Sequence, residues 1–210
     1  MLIIGAKGFA KEVLEILHQN NELDNLSFYD DLSVDFPDIL FDKFPVVKSE
    51  VEAKNYLKKT NNQYTLGVGN PKLREKLHHK FEAIGGEFTS TISRFAEIGS
   101  YDVKIGQGCN ILGGARISNN AKIGKGCIIY YNCIITHDVI IGDFCEISPG
   151  ATLLGCCEIG KSTQIGAGAI IFPSVKIGNN CIIAAGAVVR ENIPDNCMVA
   201  GIPAVIKKQI

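Results

Sequence analysis

The second half of the chain is written in sixes. From Lys104 it divides into KIGQGC, NILGGA, RISNNA, KIGKGC, IIYYNC, IITHDV, IIGDFC, EISPGA, TLLGCC, EIGKST, QIGAGA, IIFPSV, KIGNNC, IIAAGA and VVRENI. The second place is Ile in thirteen of the fifteen units, with Leu153 and Val189 in the others. The sixth place is nearly always small, as at Cys109, Ala115, Ala121, Cys127 and Cys133. Two weaker units begin at Thr91 and Glu97, before an extra residue between Tyr101 and Lys104. A period of six suits neither an α-helix nor an array of hairpins. It predicts a parallel β-helix of triangular section, a hexapeptide-repeat solenoid. Each hexad makes one side, three make a coil of 18 residues, and coils stack about 4.8 Å apart. The large aliphatic fills the interior of a face, and the small residue points inward near a corner.

Steps of 18 also sort the outward positions. One face carries Arg116, Ile134, Thr152, Ile170 and Val188; a second carries Lys122, Ile140, Glu158 and Lys176; a third carries Ile128, Glu146, Gln164 and Ile182. The apolar stripe of the first face would be exposed in a monomer, so a partner subunit is expected there. A triangular prism associating through its faces suggests a trimer.

All eight cysteines lie between Cys109 and Cys197. A disulfide framework or a metal cluster would explain them, but the repeat gives six of them the role of small buried hydrophobes. Cys156 departs from that place.

The first ninety residues lack the hexad. Leu2 to Ile4 reads as a strand entering GAKGFA, followed by helical spacing from Lys11 to Gln19. Ser27 to Tyr29 reads as a second strand, stopped by Asp30 and Asp31. Ser49 with Glu52 forms a capping box for a helix to about Lys59. Tyr64 to Val68 is the next strand, and Asn70 with Pro71 opens a helix ending at Gly85 and Gly86. This alternation predicts a small parallel α/β unit over 1–88, with the coil over 89–210. A strand, a glycine turn, a helix and then acidic residues are also the outline of a nucleotide site. Close packing of strand on helix explains such glycines as well.

Of four histidines only His137 lies in the coil, at the fourth place of IITHDV, a corner. One coil forward lies Gly155. The imidazole can accept a proton while the unobstructed glycine N–H faces a developing oxyanion. Asp138 can orient the ring, provided the corner turns the two side chains together. A structural or solvated His137 is the alternative. His18, His78 and His79 fall on predicted helices, where solvent exposure is expected, so a three-histidine catalytic zinc site is not expected.

Lys plus Arg total 21 against 22 for Asp plus Glu, a net charge of -1, which gives no reason to expect nucleic acid or an anionic membrane as partner. The opening MLIIGAKGFAKEVLEIL has no basic n-region and its apolar run is broken by Gly5, Lys7 and Gly8, so neither a signal peptide nor a membrane span is expected there. A cytoplasmic location follows as an expectation.

The hexads, the His-acidic pair in ITHDVIIGDF, the closing GIPA (Gly201 to Ala204) and the opening IIGAKGFAKEV together resemble the NeuD/PglD-type sugar acyltransferases. The resemblance covers essentially the whole chain. It implies a Rossmann-like nucleotide-sugar-binding domain followed by a left-handed β-helix, in a homotrimer with active sites at subunit interfaces. It implies acetyl-CoA as donor, no metal, and a nucleotide-linked amino sugar as acceptor, such as a UDP-4-amino-4,6-dideoxy sugar for surface glycans or glycoproteins. By resemblance His137 is the general base, Asp138 raises its basicity, and Gly155 offers an amide to the thioester oxygen. Ala167 and Ala185 stand where backbone groups meet CoA. Lys7, Gly8, Phe9, Asp30, Asp31 and Gly69 match the nucleotide-sugar contacts. Two departures bear on the acceptor: Lys7-Gly8-Phe9 lacks the family's polar residue in the first turn, and Glu146 replaces a second histidine near the thioester. O-acetylation of a sialic-acid type sugar is the alternative activity, and a non-catalytic nucleotide-sugar-binding scaffold is a further one.

Overall fold

The computed structural model describes residues 1–33 and 35–210. The chain divides into two units, Met1–Thr91 and Ile92–Ile210, a few residues beyond the boundary expected after 88.

The first unit is built on a parallel sheet. Its elements are β1 (Leu2–Ile4), α1 (Gly8–Asn20), β2 (Ser27–Tyr29), β3 (Ile39–Leu40), β4 (Phe44–Val47), α2 (Glu50–Lys59), β5 (Gln63–Leu66), α3 (Pro71–Ala83) and β6 (Glu87–Phe88). The sheet order is β3-β4-β2-β1-β5-β6, with only β3 antiparallel to its neighbour. The helix starts follow the capping residues: the Glu52 N–H donates to Ser49 Oγ at 3.3 Å, and the Leu73 N–H to Asn70 Oδ1 at 3.0 Å. The sequence reading missed β3, β4 and β6. Two of these are only two residues long, and Pro45 inside β4 argues against a strand until the edge hairpin is seen. It also placed His78 at solvent. His78 is buried, with Nδ1 2.8 Å from the Tyr64 hydroxyl and its ring stacked 4.4 Å from Phe88.

The second unit is the expected coil. Paired two-residue strands run up three faces in register steps of 18, as in Arg116↔Ile134↔Thr152↔Ile170 on the first face, Lys122↔Ile140↔Glu158↔Lys176 on the second and Ile128↔Glu146↔Gln164↔Ile182 on the third. The second- and sixth-place residues form one buried core. Ile134 is exposed on the first face, whereas Thr152, Ile170 and Val188 are half-buried. Ile128, expected outward on the third face, is fully buried, as is Asn110 below it in the ladder. The tail adds a hairpin, Cys197–Gly201 with Ala204–Gln209, whose first strand extends the third face parallel to Ile182–Ile183.

The sixth-place cysteines do more than fill space. The thiols of Cys109, Cys127, Cys133 and Cys145 donate to the carbonyls of Gly124, Gly142, Ser148 and Gly160, each 15 residues on, at 3.0–3.1 Å. Thr163 does the same with its hydroxyl to Gly178 at 2.8 Å. Burial pushes the Cys133 and Cys157 thiols up to about 12, which keeps them protonated.

Candidate active site

The corners decide where side chains go. In fourteen of the fifteen hexads the fifth residue is left-handed, with φ between 53° and 75°. Glycine or asparagine holds nine of these fourteen places, and the other five are Asp138, Phe144, Cys156, Ser162 and Ser174. A left-handed residue reverses the usual divergence of neighbouring side chains. At Asp138, φ 62°, it folds the carboxylate back onto the preceding imidazole. His137 Nδ1 lies 2.7 Å from Asp138 Oδ2. The other carboxylate oxygen accepts a hydrogen bond from Asn120 Nδ2, one coil below. The hydrogen bonds from His137 and Asn120 hold the Asp138 carboxyl below its ordinary value. An ionised carboxylate only accepts, so the shared proton sits on Nδ1 and leaves Nε2 with a free lone pair.

Gly155 stands one coil above His137. A Cβ built there would lie 2.6 Å from the ring's Cε1 and 2.7 Å from Nε2, so only glycine leaves the imidazole its place. Its N–H is open as well, and the reason is in the sequence. At the corner between the second and third faces, fourth-place N–H groups are capped from the coil above: Lys125 by Asp143 at 2.9 Å, Lys161 by Asn179 at 2.9 Å, Asn179 by Asp195 at 2.8 Å. Above Gly155 the equivalent residue is Pro173, which offers no side-chain acceptor. Beside this corner the first face holds a cavity of about 460 Å³, lined by Ser100, Tyr101, Ser118, Asn119, Ile134 and Thr136 among others.

The other expected site residues fall into two further groups. Ala167 and Ala185 are exposed fourth-place residues at the corner between the third and first faces, stacked one coil apart. Glu146 lies on the third face, where its carboxylate accepts from Ser148 Oγ at 3.2 Å and Gln164 Nε2 at 3.1 Å. Within one chain the structure therefore puts His137, Asp138 and Gly155 at one corner, and Ala167 and Ala185 at another.

In the first unit, Lys7 and Asp30 line a cavity of about 190 Å³ at the carboxyl ends of β1, β2 and β5, together with Gly5, Tyr29 and Gly67. Gly5 has φ +109° and Gly67 packs on Ala10, so the fold itself requires both. Gly8 and Gly69 are different: a Cβ at either meets nothing within 4 Å. Phe9 packs against the unit's core. Asp30 caps the next turn, accepting from the Leu32 and Ser33 N–H groups at 3.1 and 3.0 Å. Asp31 is not among the residues lining the cavity. Its carboxylate accepts from the Tyr29 hydroxyl at 2.6 Å and the Lys80 ammonium at 3.0 Å. Sequence reasoning missed Asn120 and Lys80. A step of 18 back from Asp138 would have found Asn120; nothing in the sequence marks Lys80.

The PglD N-terminal domain family matches residues 1–81, and the bacterial transferase hexapeptide family (six repeats) matches 120–155 and 156–191. A search of curated proteins gives no match. Among solved structures, WeeI from Acinetobacter baumannii AYE is 30% identical, with 98% of each chain covered and a TM-score of 0.86. The chain belongs to the NeuD/PglD-type sugar acyltransferases. Other similar structures of this type are PerB from Caulobacter crescentus in complex with CoA and GDP-perosamine (29% identity, 99% of this chain and 96% of that one, TM-score 0.91) and the acetyltransferase domain of PglB from Neisseria gonorrhoeae FA1090 in complex with acetyl coenzyme A (28%, 100% and 98%, 0.86). This NeuD/PglD-type chain thus keeps its relatives' two-part architecture over nearly its full length. No helix among its described residues is long and apolar enough to cross a membrane.

Proposed function

We propose that this acetyl-CoA-dependent sugar acetyltransferase acts on the amino group of a nucleotide-linked amino sugar, by direct transfer with His137 as general base. The observation that carries this is the His137–Asp138 pair packed against Gly155, whose N–H makes no hydrogen bond among the described residues of the chain. An uncharged sugar amine attacks the thioester carbonyl, forming the C–N bond. His137 Nε2 takes the proton that the new bond acidifies, the Gly155 N–H donates to the tetrahedral oxyanion, and CoA leaves as the C–S bond breaks. Asp138 stabilises the imidazolium while Asn120 holds Asp138. Ala167 and Ala185 offer backbone groups to CoA, with Glu146 beside the thioester. In the first unit Lys7, Gly8, Phe9, Asp30, Asp31 and Gly69 serve the nucleotide sugar; the open space over Gly8 and Gly69 supports this most directly.

The base and the CoA contacts lie at different corners of one chain, which supports a homotrimer whose sites are completed between copies. The half-exposed stripe of Ile134, Thr152, Ile170 and Val188 suits such contact. Acetyl-CoA and nucleotide sugars are cytoplasmic metabolites, which supports a cytoplasmic location.

The test is acetyl transfer from acetyl-CoA to a panel of UDP-, dTDP- and GDP-linked amino sugars, run beside His137→Ala. One sugar should turn over, giving a product that survives mild hydroxylamine as an amide does and an ester does not. His137→Ala should lose about 10²- to 10⁴-fold in rate. A variant that keeps more than a tenth of wild-type turnover would remove His137 from the role of base.

A further inference from the structure

Cys156 is the one exposed thiol among the eight free cysteines. The repeat places it: as the fifth residue of TLLGCC it is left-handed, φ 61°, directly above Asp138 in the same corner column. Its N–H donates to the His137 carbonyl at 3.1 Å, which ties the two rungs together. The mechanism above uses neither this thiol nor any metal. Yet a ring nitrogen of His137, a carboxylate oxygen of Asp138 and Cys156 Sγ all lie within 4.8 Å of one another.

We propose that His137, Asp138 and Cys156 form an inhibitory site for a borderline-soft divalent cation of the zinc class. One nitrogen, one oxygen and one sulfur donor converge at an exposed corner, with a fourth position left to solvent. Zinc bonds of about 2.0–2.3 Å set tetrahedral ligand atoms about 3.3–3.8 Å apart, within reach of small side-chain rotations there. Asn120, on the second oxygen of Asp138, orients that ligand from the coil below. Binding replaces the thiol proton with the metal. If the metal takes Nδ1, the imidazole's single proton must move to Nε2, and the lone pair that accepts the substrate's proton is lost. If it takes Nε2, it occupies that lone pair outright. Coordination and base catalysis exclude each other.

The inhibition half of this inference rests on His137 being the base; the binding half does not. Two measurements keep them apart. The first is anaerobic titration of the intact protein with Co²⁺, read by the near-ultraviolet thiolate-to-cobalt band. One equivalent per chain should saturate the band, and Cys156→Ser should abolish it, because the remaining seven thiols are buried. No band in the wild type, or an unchanged band in Cys156→Ser, overturns the site. The second is Zn²⁺ inhibition of amide formation, with each variant compared to its own metal-free rate. Cys156→Ser should need at least about tenfold more zinc for half inhibition. A cobalt band that behaves as expected while saturating zinc leaves turnover intact would keep the site and remove its inhibitory role, along with His137 as base. Absence of the band alongside an inactive His137→Ala would remove the site and leave the base.

Discussion

At His137 one missing methyl group does as much as the side chain itself. The ring occupies the space that a β-carbon on residue 155 would take, so Gly155→Ala must push it aside by a fraction of an ångström or more. The imidazole is exposed and free to yield, so stability should barely change. Circular-dichroism melting should place Gly155→Ala within about 2 °C of wild type, whereas turnover should fall about 10²-fold from the misplaced base. A matching loss of melting temperature would instead mean that residue 155 is structural. Asn120 acts one step further out, through Asp138. Asn120→Ala should lower kcat about tenfold with the KM for acetyl-CoA unchanged, a split that a general loosening of the coil would not produce. His137 was legible because it is the single histidine in the repeat. Its pairing with Asp138 was legible only as a condition on the corner, since adjacent residues diverge in a strand and it is the left-handed fifth place that brings them together.

Elements of the first unit show a similar division between what sequence carries and what it leaves out. Ser49 with Glu52 and Asn70 with Pro71 announced α2 and α3, because capping is local chemistry. The edge hairpin of β3 and β4 and the buried His78 depend on partners far along the chain. So does the Asp31 cluster. Burial pushes the Asp31 carboxyl up, but the Tyr29 hydroxyl and Lys80 ammonium outweigh it and hold it below its usual range. Burial and then the neighbouring Asp31 raise Tyr29 to about 12. Because the folded value of Asp31 is depressed, its contribution is full above the unfolded value near 3.9 and disappears as pH falls through the folded one. Lys80→Met should therefore lower unfolding free energy by about 0.5–1 kcal/mol at pH 7. Urea melts repeated at lower pH should show that difference shrinking below about pH 4. A difference that stays constant down to pH 3 would mean that Lys80 contributes through packing instead.

For the whole molecule the separation of corners has a direct test. If each site takes His137 from one copy and the Ala185 corner from another, two inactive variants can repair each other. His137→Ala and Ala185→Trp, unfolded together at equal amounts and refolded, should regain about a quarter of wild-type activity in randomly mixed assemblies. No recovery, with mixed assemblies confirmed by mass, would put both groups in one chain's site. The coil was the most legible feature of all, since a period of six leaves one architecture that buries every second and sixth residue. Ile128 went the other way because burial on a face depends on what lies over it, and the repeat encodes only the inside.

The register steps of 18 also restrict how such a chain can change length. An added hexad turns everything above it by a third of a revolution, carrying each later column to a different face. Three added hexads restore every column and merely lengthen the prism. Most single insertions would break the alignment of aliphatic and small residues, yet the extra residue in 97–103 does not. Glu97 pairs with Arg116 at a separation of 19, while Lys104 pairs with Lys122 at 18, and the surplus is taken up near the exposed Tyr101. Corners are thus where this lineage can gain residues one at a time, and faces only in whole turns.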